Sequence, residues 1–205
     1  MTEVPRGKRR RASAGKDDVL RTAAAVIARR GMERARFSDI AAETGLAVST
    51  LQYLFGSRED LLIAAFELSS HDELARIDAS LAGASDPLER LNVLVDAAVG
   101  GPEDRDAWLL WFEFWRAAWR DAELNQRWQV AQDHWREAAT RILQDGVQSG
   151  AFRADLDPDD TSILLLAITD GVALATILLQ DPTVAPEEPK RLARQGVHRL
   201  VLATN

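Results

Sequence analysis

The residues able to do chemistry are sparse, and their spacing suits binding better than turnover. Cysteine is absent, which removes a thiolate nucleophile, a disulfide framework and sulfur-ligated zinc. His71, His134 and His198 lie more than sixty residues apart, and none belongs to an HExxH-type pair, so no local metal site is expected. GxSxG and Walker sequences are missing as well. The concentrated signal is aromatic, because all six tryptophans fall between 108 and 135. Trp108, Trp111, Trp115 and Trp119 recur at helical intervals and share a face with Phe112, while Trp128 and Trp135 form a second stripe. Bulky core packing accounts for most of such a cluster. A sharper reading has two or three rings, Trp111 and Trp115 among them, lining a cavity between helices.

Acids near this aromatic wall suit a cation, through ring-face attraction combined with ion pairing. Glu113 sits within the first stripe. Asp170 sits inside the apolar run 162–179, where a buried carboxylate needs a partner. Three roles stay open for Asp170: contact with a ligand, a hydrogen bond across a subunit interface, or capping of a local kink with Gly171. Asp170 with His134 is the one pairing that acid–base chemistry could use. With no nucleophile or cofactor motif beside it, the expectation is a protein that is not an enzyme and carries no cofactor or metal.

Charge is the second signal. The net charge of −7 divides into +4 over residues 1–62 and −11 over residues 63–205. A basic front on an acidic body implies an anionic partner for the front, nucleic acid before others. Arg6, Lys8, Arg9, Arg10 and Arg11 crowd into a stretch, 1–15, that reads as a disordered arm.

The elements that must position these groups are helices. Alanine and leucine account for 59 residues against 31 for Val, Ile and Thr, and no proline falls between 6 and 86 or between 103 and 157. An all-α fold of about nine helices follows. The first three run at about 16–30, 38–44 and 48–55. A Ser57/Asp60 capping box starts a fourth, to about 81. Asp86-Pro87 opens the next, which Gly100-Gly101-Pro102 ends. Further helices span about 104–119, 122–149, 158–180 and 188–203. The apolar run 162–179 is long enough to suggest a membrane span, but a mid-span Asp costs about 2.5–3.5 kcal/mol. Burial inside the domain or against a second copy fits it better. The N-terminus lacks the apolar stretch of a signal peptide, so a cytoplasmic location without a membrane role is expected.

The two short helices flanking Gly45 make a helix-turn-helix pattern. Ala41 is small where the helices approach, and Ile40, Leu46, Leu51 and Leu54 are apolar where they should bury against the first helix. The second helix of such a unit enters the major groove with its N-terminal side chains leading, here Val48, Ser49, Thr50, Gln52 and Tyr53. The run Phe37-Ser-Asp-Ile-Ala-Ala-Glu-Thr-Gly-Leu-Ala-Val-Ser-Thr-Leu-Gln-Tyr-Leu-Phe-Gly-Ser-Arg-Glu-Asp-Leu-Leu62 resembles the DNA-binding segment of the TetR family of bacterial regulators. Further on, Trp111-Phe-Glu-Phe-Trp-Arg-Ala-Ala-Trp119, Gly150-Ala-Phe-Arg-Ala-Asp-Leu-Asp-Pro158 and Thr169-Asp-Gly-Val-Ala-Leu174 resemble the choline-responsive, BetI-like subgroup.

The resemblance implies a division into the arm 1–15, a DNA-binding domain 16–62, and a ligand-binding and dimerisation domain 63–205. It implies a homodimeric repressor that leaves a palindromic, double-stranded operator when a small cationic or aromatic effector binds. Arg58 would bond a phosphate at its helix N-terminus, joined on the backbone by Tyr53, Ser38 and Arg36. Gln52 would read an adenine edge or bond a phosphate. Arg9, Arg10 and Arg11 would reach the minor groove or the neighbouring backbone. Trp111, Trp115, Glu113 and Asp170 would meet the effector. The last two helices would form the dimer contact, the final one through Leu192, Gly196, Leu200 and Ala203. Gln52, Leu54 and Ala47 depart from the family's habit at the DNA face. Those departures keep a second reading open, a ligand-binding or protein-interaction module that has lost DNA affinity.

Overall fold

A computed structural model describes residues 15–101, 104–179, 185 and 188–203, with backbone alone for 176–179. The basic arm, including Arg9, Arg10 and Arg11, lies outside the described residues. Among the described residues the elements are α1 (Lys16–Arg30), α2 (Phe37–Thr44), α3 (Val48–Phe55), α4 (Arg58–Leu81), α5 (Pro87–Val99), α6 (Arg105–Ala118), α7 (Ala122–Ser149), α8 (Pro158–Leu179) and α9 (Glu188–Val201), with no strand. The all-α expectation holds, and the helix ends fall within two residues of those read from the sequence.

The helix starts follow from side chains that replace missing backbone partners. Asp60 N–H donates to Ser57 Oγ at 3.0 Å while Ser57 N–H donates to Asp60 Oδ2 at 3.1 Å, the reciprocal box expected for α4. Asp86 accepts from the N–H groups of Leu88 and Glu89, both at 3.0 Å. Asp157 does the same for Asp159 and Asp160 at 2.9 and 3.1 Å. The α3 helix has no such cap, because Ala47 offers no acceptor. Gly45 takes the left-handed conformation (φ 71°, ψ 14°) that turns α2 into α3.

One continuous core runs from the front helices into the body. Val19, Ala23, Val26 and Ile27 of α1 pack with Ile40, Leu51, Leu61 and Leu62, all almost fully buried. Leu46 is half-buried, but Leu54, expected in this core, is exposed. Leu51 already fills the position beneath α1, and Leu54 lies on the outward side of a helix only eight residues long. The helix α4 continues without a break past residue 62 into the body, and α1 packs on both α4 and α6. Farther along, Phe66 stacks on Phe114 with ring centroids 3.7 Å apart.

At the far end, α8 and α9 form an antiparallel hairpin. Arg153 ties its base, donating from N–H to Val201 O at 2.9 Å and from Nε to Leu200 O at 2.9 Å. The α8 helix buries Ser162, Leu165, Thr169 and Ala173, and α9 buries Pro189, Ala193, Val197 and Val201. The α9 stripe expected to be free is partly claimed within the chain. Gly196 lies under Ile168 and Leu200 packs on the core, leaving Leu192 and Ala203 outward. Among the described residues no helix is long and apolar enough to cross a membrane.

Candidate nucleic-acid interface and ligand cavity

At the front, burying Leu51 forces the other side of α3 outward. Val48, Ser49, Gln52 and Tyr53 are exposed and Thr50 is half-buried, with Tyr53 the most open at 89%. Arg36 and Ser38, at the start of α2, are exposed as well. Asp39 organises this end: it accepts from Arg36 N–H at 3.0 Å and pairs with Arg30 at 3.1 Å. The structure therefore leaves seven of the eight expected DNA-facing residues available.

Arg58 is the exception. Its guanidinium turns inward, donating from Nε to Ala35 O at 2.5 Å and from Nη2 to Met32 O. Nη1 pairs with Glu59 at 2.8 Å. Arg58, expected as a phosphate ligand, thus clamps the 31–36 loop in this structure. The physical reason is that the 31–36 loop brings two carbonyls without helical partners to the beginning of α4, and a forked, always-charged donor satisfies both.

In the body, α4, α5, α6, α7 and α8 enclose a cavity of about 300 Å³. Five of the six tryptophans line it: Trp108, Trp111 and Trp115 from α6, Trp128 and Trp135 from α7. Trp111 meets Trp128 edge to face at 4.8 Å and Phe66 at 5.2 Å, so it holds the back wall. The sixth, Trp119, caps the end of α6 and is mostly exposed, resting edge-on against Trp115 at 4.8 Å. Three carboxylates also reach the lining: Glu73 from α4, Asp104 before α6, and Asp170 from α8. Among the described residues no lysine, arginine or histidine does.

The three acids differ in their commitments. Asp104 accepts from Gly101 N–H at 2.9 Å and shapes the turn there. Glu73 Oε2 accepts from Trp111 Nε1–H at 3.1 Å. Burial pushes the Glu73 carboxyl above its ordinary value, and the Trp111 bond and the Arg76 charge only partly offset this. Asp170 has no hydrogen-bond or ion-pair partner among the described residues, and burial alone pushes it up to about 6. By surface area Asp170 still counts as exposed in the single chain. An open edge admits water to the carboxyl, while apolar neighbours such as Leu166 and Leu174 crowd it from other directions.

Trp111, Trp115 and Asp170 therefore meet at the cavity as expected, and Glu113 does not. Glu113 lies on the side of α6 away from the rings and accepts from Met32 N–H at 2.7 Å. It also pairs with Arg116 at 3.2 Å, and Arg116 reaches Glu33 at 2.9 Å. Gly31 permits this approach: its φ is 82°, and a Cβ there would lie 3.2 Å from Glu113 Oε2. The sequence reading assigned Glu113 by its neighbours in the chain. A residue two after Trp111 on a helix points about 200° away from it. Glu73 escaped notice, although its spacing from Phe66, Ser70 and Ile77 placed a carboxylate on the core side of α4.

A three-helix head that exposes α3, joined through α4 and α6 to an aromatic cavity, defines a DNA-binding regulator with an effector domain. Residues 19–65 match the family model for bacterial regulatory proteins of the tetR family, and residues 87–202 match the C-terminal domain of BetI-type transcriptional repressors. The HTH-type transcriptional repressor KstR2 of Mycolicibacterium smegmatis is 28% identical over 144 residues, 70% of each chain. A transcriptional regulator from Saccharomonospora viridis, solved in complex with choline, superposes with a TM-score of 0.85 at 27% identity, over 92% of this chain and 98% of that one. FadR of Bacillus subtilis, solved in complex with stearoyl-CoA, shares the fold at a TM-score of 0.75 and 20% identity, over 91% of this chain and 98% of that one. The chain belongs to the TetR family, in its BetI-type branch. It is a ligand-responsive, DNA-binding transcriptional regulator.

Proposed function

We propose that this regulator is a homodimeric repressor, acting in the cytoplasm, whose effector is a small organic cation of the quaternary-ammonium kind. The carrying observation is the cavity wall, with five tryptophan rings and three carboxylates and, among the described residues, no basic side chain. Ring faces attract a cation, and a carboxylate in an apolar surround favours one strongly. An acyl-CoA, bound by the Bacillus subtilis neighbour, carries phosphates that this wall would repel. The choline-bound Saccharomonospora viridis neighbour supports the same direction.

In this reading the chain divides functionally near residue 62. Val48, Ser49, Thr50, Gln52 and Tyr53 face the major groove of a palindromic operator, with Arg36 and Ser38 on the backbone. The helix α6 carries the response. One side holds Trp108, Trp111 and Trp115, and the other holds Met32 and Glu33 through Glu113 and Arg116. A cation that resets the α6 rings displaces the loop after α1, and with it the head. It can shift DNA affinity only by as much as it prefers one arrangement over the other.

The test is a titration of the purified protein with choline and tetramethylammonium, followed by tryptophan fluorescence, and repeated on a complex with an operator selected from genomic fragments. The expected result is saturable quenching together with release of the operator. Binding of an acyl-CoA, with no response to either ammonium ion, would overturn the cationic assignment.

A further inference from the structure

The cavity presents its acids from separate walls. Glu73 enters from α4 at the back, where Trp111 Nε1–H donates to it at 3.1 Å. Asp170 enters from α8 at the open edge, one turn from Leu166 and from Leu174. The helices α4 and α8 each pack on α5 and α7, and α5 packs on α7, so the two carboxylates come from different sides of that pair. Their surroundings agree. Asp104 stands close enough to Glu73 to add to the rise that burial causes there, whereas burial alone raises Asp170.

Between the acids the wall is largely ring surface. Trp108 Nε1–H is committed to Val99 O at 3.1 Å and Trp111 Nε1–H to Glu73, so neither indole has a donor left for an anion. Arg76, one turn beyond Glu73 on α4, is exposed and lies outside the lining, and its charge only partly offsets the burial of Glu73.

We propose that the effector is an elongated organic dication, one cationic end held at Glu73 beside Trp111, the other at Asp170, with an apolar linker lying across the rings. The inference rests on the cationic effector proposed above and adds its charge count and its shape. A small ammonium ion pairs with one carboxylate and leaves the other in apolar surroundings without a counter-charge, which is costly. A second positive charge on the same molecule serves the second acid. The linker meanwhile takes the place of water on the ring faces between them. A cavity of about 300 Å³ stands at the lower end of the range for drug-sized ligands, which leaves room beyond a single trimethylammonium group.

The experiment is calorimetry of the full chain at about pH 8, where carboxyls ionise even when burial raises them. The probes are bis(trimethylammonium) alkanes with linkers from propane to decane. Each is compared with the alkyltrimethylammonium ion of the same chain, which lacks only the second charge. The expected result is one best linker, at which the dication binds about tenfold more tightly than its single-charge counterpart, the scale of one desolvated cation–ring contact. Glu73→Gln keeps an oxygen for the Trp111 bond, and Asp170→Asn keeps the shape of the mouth; each should erase that advantage. Thermal melts check that both variants fold, and the wild-type comparison stands without them. The proposal is overturned if the two series bind the wild type alike, or if the advantage survives Glu73→Gln or Asp170→Asn. Single-charge ions that bind while the dications do not would leave the cationic effector in place and end this refinement of it. If no ammonium ion of either series binds, the cationic effector falls and this inference falls with it.

Discussion

Arg58→Ala should cost stability and leave the electrostatics of DNA binding intact, contrary to what its place at a helix N-terminus suggests. Two carbonyls, Ala35 O and Met32 O, depend on this guanidinium. A hydrogen bond to a charged group is worth about 1.5–3 kcal/mol net, and the pair would exceed 3 kcal/mol if fully sheltered. The side chain is 26% exposed, so water replaces part of the loss and roughly 2–3 kcal/mol remains. For a chain of this size that lowers the melting temperature by roughly 4–12 °C. Arg58→Lys should melt almost as low, because an ammonium has one nitrogen where the two carbonyls are held by two, Nε and Nη2, of a rigid plane. The assay pairs thermal melts with the salt dependence of binding to a duplex that the wild type holds. Loss of a phosphate contact flattens the log–log salt slope by about 0.9. The expected outcome is a lower melting point with an unchanged slope. A wild-type melting curve with a slope reduced by about one in Arg58→Ala, restored in Arg58→Lys, would refute the clamp.

Other expectations follow from single features. Tyr53→Ala should leave the melting point alone and weaken operator binding, as the ring is almost wholly exposed; retained affinity in a mobility-shift titration would remove α3 from the groove. Gly146→Ala should destabilise by about 1–3 kcal/mol in urea, since overpacking has no outlet where a Cβ would lie 1.9 Å from the buried Phe152 ring. An unchanged midpoint would mean that the ring has somewhere to go. Quaternary-ammonium affinity should fall as pH drops through about 6, because the cation binds the ionised carboxyl and Asp170 takes up its proton in that range. It should level off above pH 7, and calorimetry at pH 5, 6, 7 and 8 checks both limbs. Glu113→Ala should leave effector binding in place and reduce the effector's grip on operator affinity, read as the ratio of dissociation constants with and without choline.

Local rules carried most of the fold. Ser57, Asp86 and Asp157 each announce a helix start through a contact spanning three residues or fewer, so position in the chain was enough to place them. The α3 surface was legible in its polar residues, Ser49, Gln52 and Tyr53, which the structure leaves exposed. The cavity was legible in its rings but less so in its acids. Asp170 interrupts an apolar run and draws attention, whereas Glu73 sits in an ordinary charged helix and gains its meaning only when α6 brings Trp111 to it. The bonds of Arg58 and Glu113 were not legible because their partners, Met32 and Ala35, are backbone groups 23 to 81 residues away. A carbonyl leaves no trace in a side-chain pattern. Leu54 was misplaced because apolarity alone does not say which of two leucines on a short helix turns inward.

The double tether on the backbone of Met32 bears on how such proteins can be recombined. Its N–H is held by Glu113 of α6 and its carbonyl by Arg58 of α4. A chimaera spliced near residue 62, with this head grafted onto a foreign body, would keep the Arg58 half of that grip and lose the Glu113 half. Such a hybrid should still recognise its DNA yet respond poorly to the new body's ligand. Transplanting Glu113 and Arg116 into the recipient, opposite Gly31 and Glu33, is the smallest graft that would restore the mechanical joint. Sensors with exchanged specificities should therefore be assembled by matching this seam before matching domains.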